Sequence, residues 1–297
     1  MRPFAFGVPL LLIAIAGSQA QRPVKVYISA DMEGVTGVVT AEQLGPTGFE
    51  YQRFREIMTA EVLAAIAGAR EAGATEFVIS DSHGNGQNLL IDRLPVDVTI
   101  VRSFPRPLMM MQGIDSTFSA AVFIGYHSST TNPAGVRAHT ISSALLTSVT
   151  LNGVPMSEAG INAAIAAHYG VPVVMISGDD AIIAEAQQML GPIEGAIVKR
   201  AISFHSAATL TPEAGQALIR QRAKNGVTRR GELKAKPDQR PVTLEVSFKN
   251  YRPVELLAYL PGVQRISAHT IRFVGRDIVE VSKFLEFITS YDPALAP

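Results

Sequence analysis

Val24-Lys25-Val26-Tyr27-Ile28-Ser29-Ala30-Asp31-Met32-Glu33-Gly34 is the stretch on which the fold of this chain turns. A short β-rich run opens it and two carboxylates close it. The same arrangement recurs downstream. Glu76 to Ser80 reads as a second strand and runs straight into Asp81. Val96 to Val101 reads as a third. Ala120 to Ile124 is an apolar fourth that leads into Gly125-Tyr126-His127. Val171 to Ile176 is a fifth that leads into Gly178-Asp179-Asp180. Between the first two, Phe54, Ile57, Met58, Val62, Ile66 and Ala69 recur at spacings of three and four, which predicts a helix from Tyr51 to Ala72. A further helix is expected from about Ala181 to Leu190. Thr211-Pro212-Glu213 opens another, with Thr as N-cap and Pro in the first helical position. Strands alternating with helices predict an α/β fold, a three-layer core around a mostly parallel sheet.

The pattern changes towards the C-terminus. Between Arg222 and Pro241, Lys224, Arg229, Arg230, Lys234 and Lys236 stand among few apolar residues, and this stretch reads as an exposed loop or linker. Val242 to Phe248 alternates as a strand, Ile266 to Val274 reads as another, and Ile278 to Ile288 as a closing helix. The expected organisation is a leader over 1–20, an α/β core domain over 21–200 and a smaller α+β region over 201–297.

The chain has 297 residues, 47% of them apolar and 18% charged, which supplies a full core and excludes a disordered chain. Lys and Arg number 26, as do Asp and Glu, so the net charge is zero. Non-specific nucleic-acid binding, which needs a basic excess, is not expected. There is no cysteine. Disulfides, thiolate zinc sites, iron–sulfur clusters and cysteine nucleophiles are therefore excluded, and any metal must be held by His, Asp and Glu. At the N-terminus, Arg2, the apolar run Phe4 to Ala16 and the small residues Ser18 and Ala20 read as a secretory signal peptide cleaved before Gln21. The mature protein is then expected to be exported, periplasmic or secreted, with no membrane attachment after cleavage. An uncleaved anchor is the alternative.

The polar residues at the ends of the apolar strands carry the chemistry, because ligands of open α/β sheets bind outside the carboxyl ends of the strands. Strand one ends in Asp31 and Glu33, strand two in Asp81-Ser82-His83-Gly84, and strand four in Gly125-Tyr126-His127. Glu158 follows at the start of a helix in Ser157-Glu158-Ala159-Gly160. Asp31 and Glu33 are two apart and point the same way in an extended segment, so a cation between them would relieve their repulsion. Carboxylates with imidazoles suit zinc. Two Zn²⁺ carry four positive charges, against three from Asp31, Glu33 and Glu158 and one from a water-derived anion. Paired metals of this kind activate water and polarise a carbonyl.

His139, twelve residues after His127, either returns to the same rim as a general acid/base or is a hydrogen-bonded loop residue; spacing alone leaves both open. Asp81 reads as a carboxylate that orients a ligand. His168, His205 and His269 read as structural, Asp179 as a helix cap, and Met109-Met110-Met111 as packing. There is no G-x-S-x-G, Walker A or H-E-x-x-H motif.

Taken together, Ser29-Ala30-Asp31-Met32-Glu33-Gly34, Asp81-Ser82-His83-Gly84, Gly125-Tyr126-His127, Ala138-His139-Thr140, Ser157-Glu158-Ala159-Gly160-Ile161-Asn162 and Gly178-Asp179-Asp180 resemble, in that order, the DppA-type D-aminopeptidases, a di-zinc metallopeptidase family. The resemblance runs from about Val24 to the C-terminus. It implies a self-compartmentalising homo-decamer that removes N-terminal D-amino acids, D-Ala above all, from short peptides by metal-activated water. It implies two Zn²⁺ per chain bridged by Asp31, with Glu33 and His127 on one zinc, His83 and Glu158 on the other, and His139 as the catalytic histidine. Other readings are a di-metal amidohydrolase or L-aminopeptidase acting on another small amide, or a non-catalytic periplasmic protein that binds peptide or metal.

Overall fold

The computed structural model describes Pro3 and residues 23–236 and 240–291. Apart from Pro3, the expected signal peptide lies outside the described residues. In chain order the elements are β1 (Val24–Ala30), α1 (Tyr51–Glu71), β2 (Ala74–Asp81), β3 (Val98–Val101), β4 (Ala120–Tyr126), β5 (Leu146–Leu151), β6 (Val154–Pro155), α2 (Glu158–His168), β7 (Val173–Asp179), α3 (Asp180–Leu190), β8 (Glu194–Ser203), β9 (Ser206–Thr209), α4 (Pro212–Thr228), β10 (Val242–Phe248), α5 (Tyr251–Leu257), β11 (Val263–Arg265), β12 (Thr270–Gly275) and α6 (Ile278–Ser290).

Two sheets organise them. The larger runs in the order β3-β2-β1-β4-β7-β8-β9 and is parallel except for β9. The smaller, antiparallel sheet runs β11-β12-β10-β5-β6. Because side chains alternate across a strand, Val26, Ile28 and Ala30 of β1 enter a core roofed by α1 and α4. Tyr27 enters the opposite core, with Phe123, the Met109–Met111 segment, α2, α6 and the inner face of the smaller sheet. The expected three-layer α/β core with a mostly parallel sheet is the observed one. No helix among the described residues is long and apolar enough to cross a membrane.

Several details differ from expectation. The two sheets do not divide at residue 200: β5 and β6 reach the smaller sheet from within 146–155, while β9 and α4 complete the larger layer. Residues 222–228, expected in a loop, are the last two turns of α4. Their basic residues lie on the outside, where Arg222 pairs with Glu194 at 2.9 Å, while Ala223 and Val227 are fully buried. Of the residues expected to form one strand over 266–274, only 270–274 do so, in β12; 266–269 form the turn that joins it to β11 (Val263–Arg265). The β5–β6 hairpin turns on Asn152 and Gly153, both at positive φ. Asn-Gly is a strong hairpin signal.

The sheet order sets the site. From β1 the chain winds outward through β2 and β3; from β4 it winds the other way through β7 and β8. The crevice at the carboxyl ends of β1 and β4 lies where that direction reverses, the ordinary ligand position in such sheets. Two glycines let the loops nest there. Gly34 N–H donates to Gly125 O at 2.6 Å, and a Cβ on Gly34 would stand 2.0 Å from Tyr126 O. Gly125 takes φ +72°, and a Cβ there would stand 2.2 Å from Asp31 O. Neither position has room for a side chain, so the Asp31–Gly34 turn sits directly on the end of β4.

Candidate metal centre

Asp31 and Glu33 follow β1, His83 follows β2, and His127 follows β4. Glu158 is the first residue of α2, whose N-cap Ser157 accepts from Gly160 N–H. All five are at least nine-tenths buried. Asp31 faces both ways through separate oxygens: Oδ1 lies 3.3 Å from His83 Nδ1, and Oδ2 lies 3.3 Å from His127 Nε2. Glu33 Oε2 is 2.9 Å from His83 Nδ1, and Glu158 Oε2 is 3.5 Å from His127 Nε2. Donor atoms therefore converge as Asp31–Glu33–His83 and as Asp31–His127–Glu158, with Asp31 common to both. A third convergence joins Glu33, His127 and His139. The pairing implied by the resemblance, Glu33 with His127, appears only in this last group.

His139 is brought to the same rim. Its Nε2 lies 3.9 Å from both Glu33 Oε1 and Glu158 Oε1, and its ring stacks on that of His127 at 4.0 Å. Arg137 and Ile141, two residues to either side, both take positive φ, 55° and 65°. Such backbone costs energy outside glycine and clusters at functional sites. His168, His205 and His269 join no such group of donors among the described residues.

The tautomers follow from the partners. His83 Nε2–H donates to Leu44 O at 2.7 Å, His127 Nδ1–H to Ser128 O at 3.1 Å, and His139 Nδ1–H to Arg137 O at 2.8 Å. A carbonyl can only accept, so each ring turns its other nitrogen towards carboxylates. A lone pair facing a carboxylate is repelled unless a proton or a metal lies between. Asp31 Oδ2, Glu33 Oε2 and His127 Nε2 are buried and make no hydrogen bond, although Asp31 Oδ2 lies close to His127 Nε2 and Glu33 Oε2 close to His83 Nδ1. Buried polar atoms of this kind call for a partner, and an oxygen-and-imidazole set fits zinc. Backbone carbonyls behind ligand histidines are the usual means of fixing the coordinating nitrogen.

Without metal, protons fill that role. Burial pulls His83 and His127 down, but the charges of Glu33 and Asp31 on the first, and of Glu158 and Asp31 on the second, outweigh it and raise both well above the usual range. Burial pushes Glu33 and Glu158 up, but the histidines beside them bring both down. Burial and the Glu33 charge raise Asp31. Stability from the two carboxylates is present above about pH 4.3 and lost as pH falls through their lowered values. Stability from the histidines is present below about pH 6.5 and lost as pH rises through their raised values. Zinc replaces those protons and binds better as pH rises. The Tm gap between zinc-loaded and zinc-stripped protein is therefore expected to widen from pH 6 to pH 9 in thermal melts. A gap that narrows would mean that metal does not occupy these nitrogens.

Lys199, which no motif in the sequence marks, and the two aspartates Asp81 and Asp179 complete the setting. Lys199 of β8, fully buried, donates through Nζ to the carbonyls of Glu33, Val35 (3.2 Å) and Val38 (2.7 Å), which fixes the loop after β1. Burial brings its ammonium down to about 8 against the opposing charges of Asp179 and Glu61. Its only trace in sequence is one lysine in the apolar run Ala196-Ile197-Val198-Lys199. Asp81 accepts from Asn88 N–H, Asn88 Nδ2 and Leu89 N–H, and Asn88 Nδ2 also donates to His83 O, so Asp81 acts on His83 through its backbone. Asp179 caps α3 by accepting from Ile182 N–H, as expected. The centre opens into a cavity of about 300 Å³ lined also by Phe104, Met109, Met110 and Glu286.

Known proteins resemble this chain over most of its length. The sequence profile of the D-aminopeptidase family matches residues 24–287. The D-aminopeptidase of Bacillus subtilis (strain 168) is 32% identical over 267 residues, 89% of this chain and 96% of the relative. A solved structure described as the Zn-dependent D-aminopeptidase DppA from Bacillus subtilis, a self-compartmentalizing protease, superposes with a TM-score of 0.86 at 30% identity, covering 90% of this chain and 97% of that one. With a single family spanning both sheets and every strand end that contributes to the centre, this chain belongs to the D-aminopeptidase family.

Proposed function

We propose that this protein is a zinc aminopeptidase that releases N-terminal D-amino acids from short peptides, D-Ala being the preferred residue. The observation that carries the reading is the buried Asp31 carboxylate, which presents one oxygen to each of two clusters of metal-competent donors. Asp31, Glu33, His83, His127 and Glu158 would hold two zinc ions per chain. Bound there, they would supply an acidified water and polarisation of the scissile carbonyl. The protein's own residues do the rest. His139 keeps Nδ1–H on Arg137 O, which leaves the Nε2 lone pair to take the proton released by the attacking water and then, once protonated, to pass it to the departing amine or stabilise the oxyanion. Phe104, Met109, Met110 and Ile141 wall the cavity and limit water around the amide. The Zn-dependence and self-compartmentalizing character described for the Bacillus structure support zinc and a homo-oligomer, a decamer by the resemblance.

The deciding experiment compares hydrolysis of D-Ala and L-Ala p-nitroanilides by zinc-loaded protein, with metal content measured on the same sample. Faster D-Ala turnover that a chelator abolishes is expected. Preference for L-Ala would reassign the stereochemistry, and activity without metal would reject the centre. Export rests on Arg2, the apolar run and Ser18-Gln19-Ala20. Protein recovered from its host is expected to begin near Gln21 by N-terminal sequencing; retention of Met1 would remove that proposal.

A further inference from the structure

Six charged or imidazole side chains line the cavity: Asp31, Glu33, His83, His139, Glu158 and Glu286. Five belong to the centre described above. Glu286 does not. It comes from α6, more than a hundred residues beyond the last metal-competent donor, and no lysine or arginine lines the cavity with it. It is only 6% exposed. Ser290 Oγ–H donates to its Oε1 at 2.9 Å, which fixes the carboxylate from one side. Its Oε2 makes no hydrogen bond and no ion pair among the described residues. Arg106 feels its charge, but that guanidinium donates to Ser80 Oγ and Asp81 O and makes no ion pair with Glu286. A carboxylate with one oxygen fixed and the other turned into a cavity offers an anchor to a cation, and it stands apart from the donors of the metal centre.

Resting on the aminopeptidase reading, we propose that Glu286 is the specificity-determining residue that receives the free α-ammonium of the substrate. The cavity wall beside it, Phe104, Met109 and Met110, is apolar and takes an uncharged side chain. A cavity whose fixed charges are carboxylates, with no lysine or arginine, accepts an amine-terminated peptide and rejects an N-blocked one. Anchoring the ammonium on α6 places the first amide between Glu286 and the metal centre, so one residue is removed at a time.

The test measures both binding and turnover in zinc-loaded protein, using D-alaninamide and its N-acetyl derivative as probes. Calorimetry is expected to show D-alaninamide binding to the wild type at least tenfold more tightly than the N-acetyl form. Glu286→Gln, which keeps shape but loses charge, is expected to weaken D-alaninamide binding about 10–100-fold, the usual scale of a charged hydrogen bond. It should leave binding of the N-acetyl form unchanged, with KM rising more than kcat falls and zinc content intact. Ser290→Ala, which removes only the bond that orients Oε1, is expected to show a smaller loss of the same kind. If Glu286→Gln binds and cleaves D-alaninamide like the wild type, the ammonium is held elsewhere and the proposal fails while the aminopeptidase reading stands. If the wild type binds D-alaninamide through Glu286 but cleaves neither enantiomer, the reverse holds.

Discussion

Asp31→Asn is expected to release both zinc ions and to abolish measurable hydrolysis, the largest loss from any single substitution in this protein. The reason is geometric. Asp31 is the one carboxylate common to the Asp31–Glu33–His83 and Asp31–His127–Glu158 clusters, one oxygen to each. An amide there offers one oxygen and one N–H₂ donor. One cluster loses its anion and meets a donor instead, and the charge that would balance two dications falls from three carboxylates to two. Removing a group that merely orients a ligand costs about 10–100-fold in metal affinity; removing a shared ligand costs more. By contrast, His83→Ala and His127→Ala each take one imidazole from one cluster and are expected to lower zinc content to about one ion per chain, the count being read by elemental analysis. Asp31→Asn protein that keeps two zinc ions would show that Asp31 does not bridge them.

His139→Ala is expected to separate chemistry from metal binding. His139 Nε2 stands 3.9 Å from the Glu33 and Glu158 carboxylates, farther than the 2.9–3.5 Å contacts of His83 and His127. Its side chain reaches the cavity through a loop strained at Arg137 and Ile141. The five donors remain without it, so zinc content should stay at the wild-type value and substrate affinity should change little. The turnover rate should fall about 10²–10⁴-fold, the usual contribution of a positioned acid/base, or about 3–5 kcal/mol of barrier. The measurement is kcat beside metal content. A lost zinc ion would make His139 a ligand, consistent with the Glu33–His127–His139 convergence. Full activity with full zinc would leave it structural.

What the sequence determined by itself is local. A β-run buried on both faces carries its polar residues chiefly where it ends, so Asp31, Asp81, His83 and His127 announce the strand ends, and Asp31, His83 and His127 also the donors of the centre. The three-and-four spacing of α1, the Thr211-Pro212 start of α4 and the Asp179 cap are equally local, because each concerns neighbours within a turn or two of helix. What the tertiary structure decided is which distant residues meet. The order β3-β2-β1-β4-β7-β8 puts the ends of β1, β2 and β4 side by side, and nothing in one strand encodes its neighbour. Spacing leaves His139 open between a catalytic and a loop role, and only the tertiary structure, through the strained turn, stacks it on the ring of His127. Lys199 bonds to carbonyls more than 160 residues earlier, and Glu286 enters the cavity from the last helix. Neither belongs to a periodic pattern or motif, since a single side chain used across so long a loop leaves no repeat in the chain. Only packing of the final layers, driven by burial of apolar surface that is indifferent to sequence order, places them beside the centre they serve.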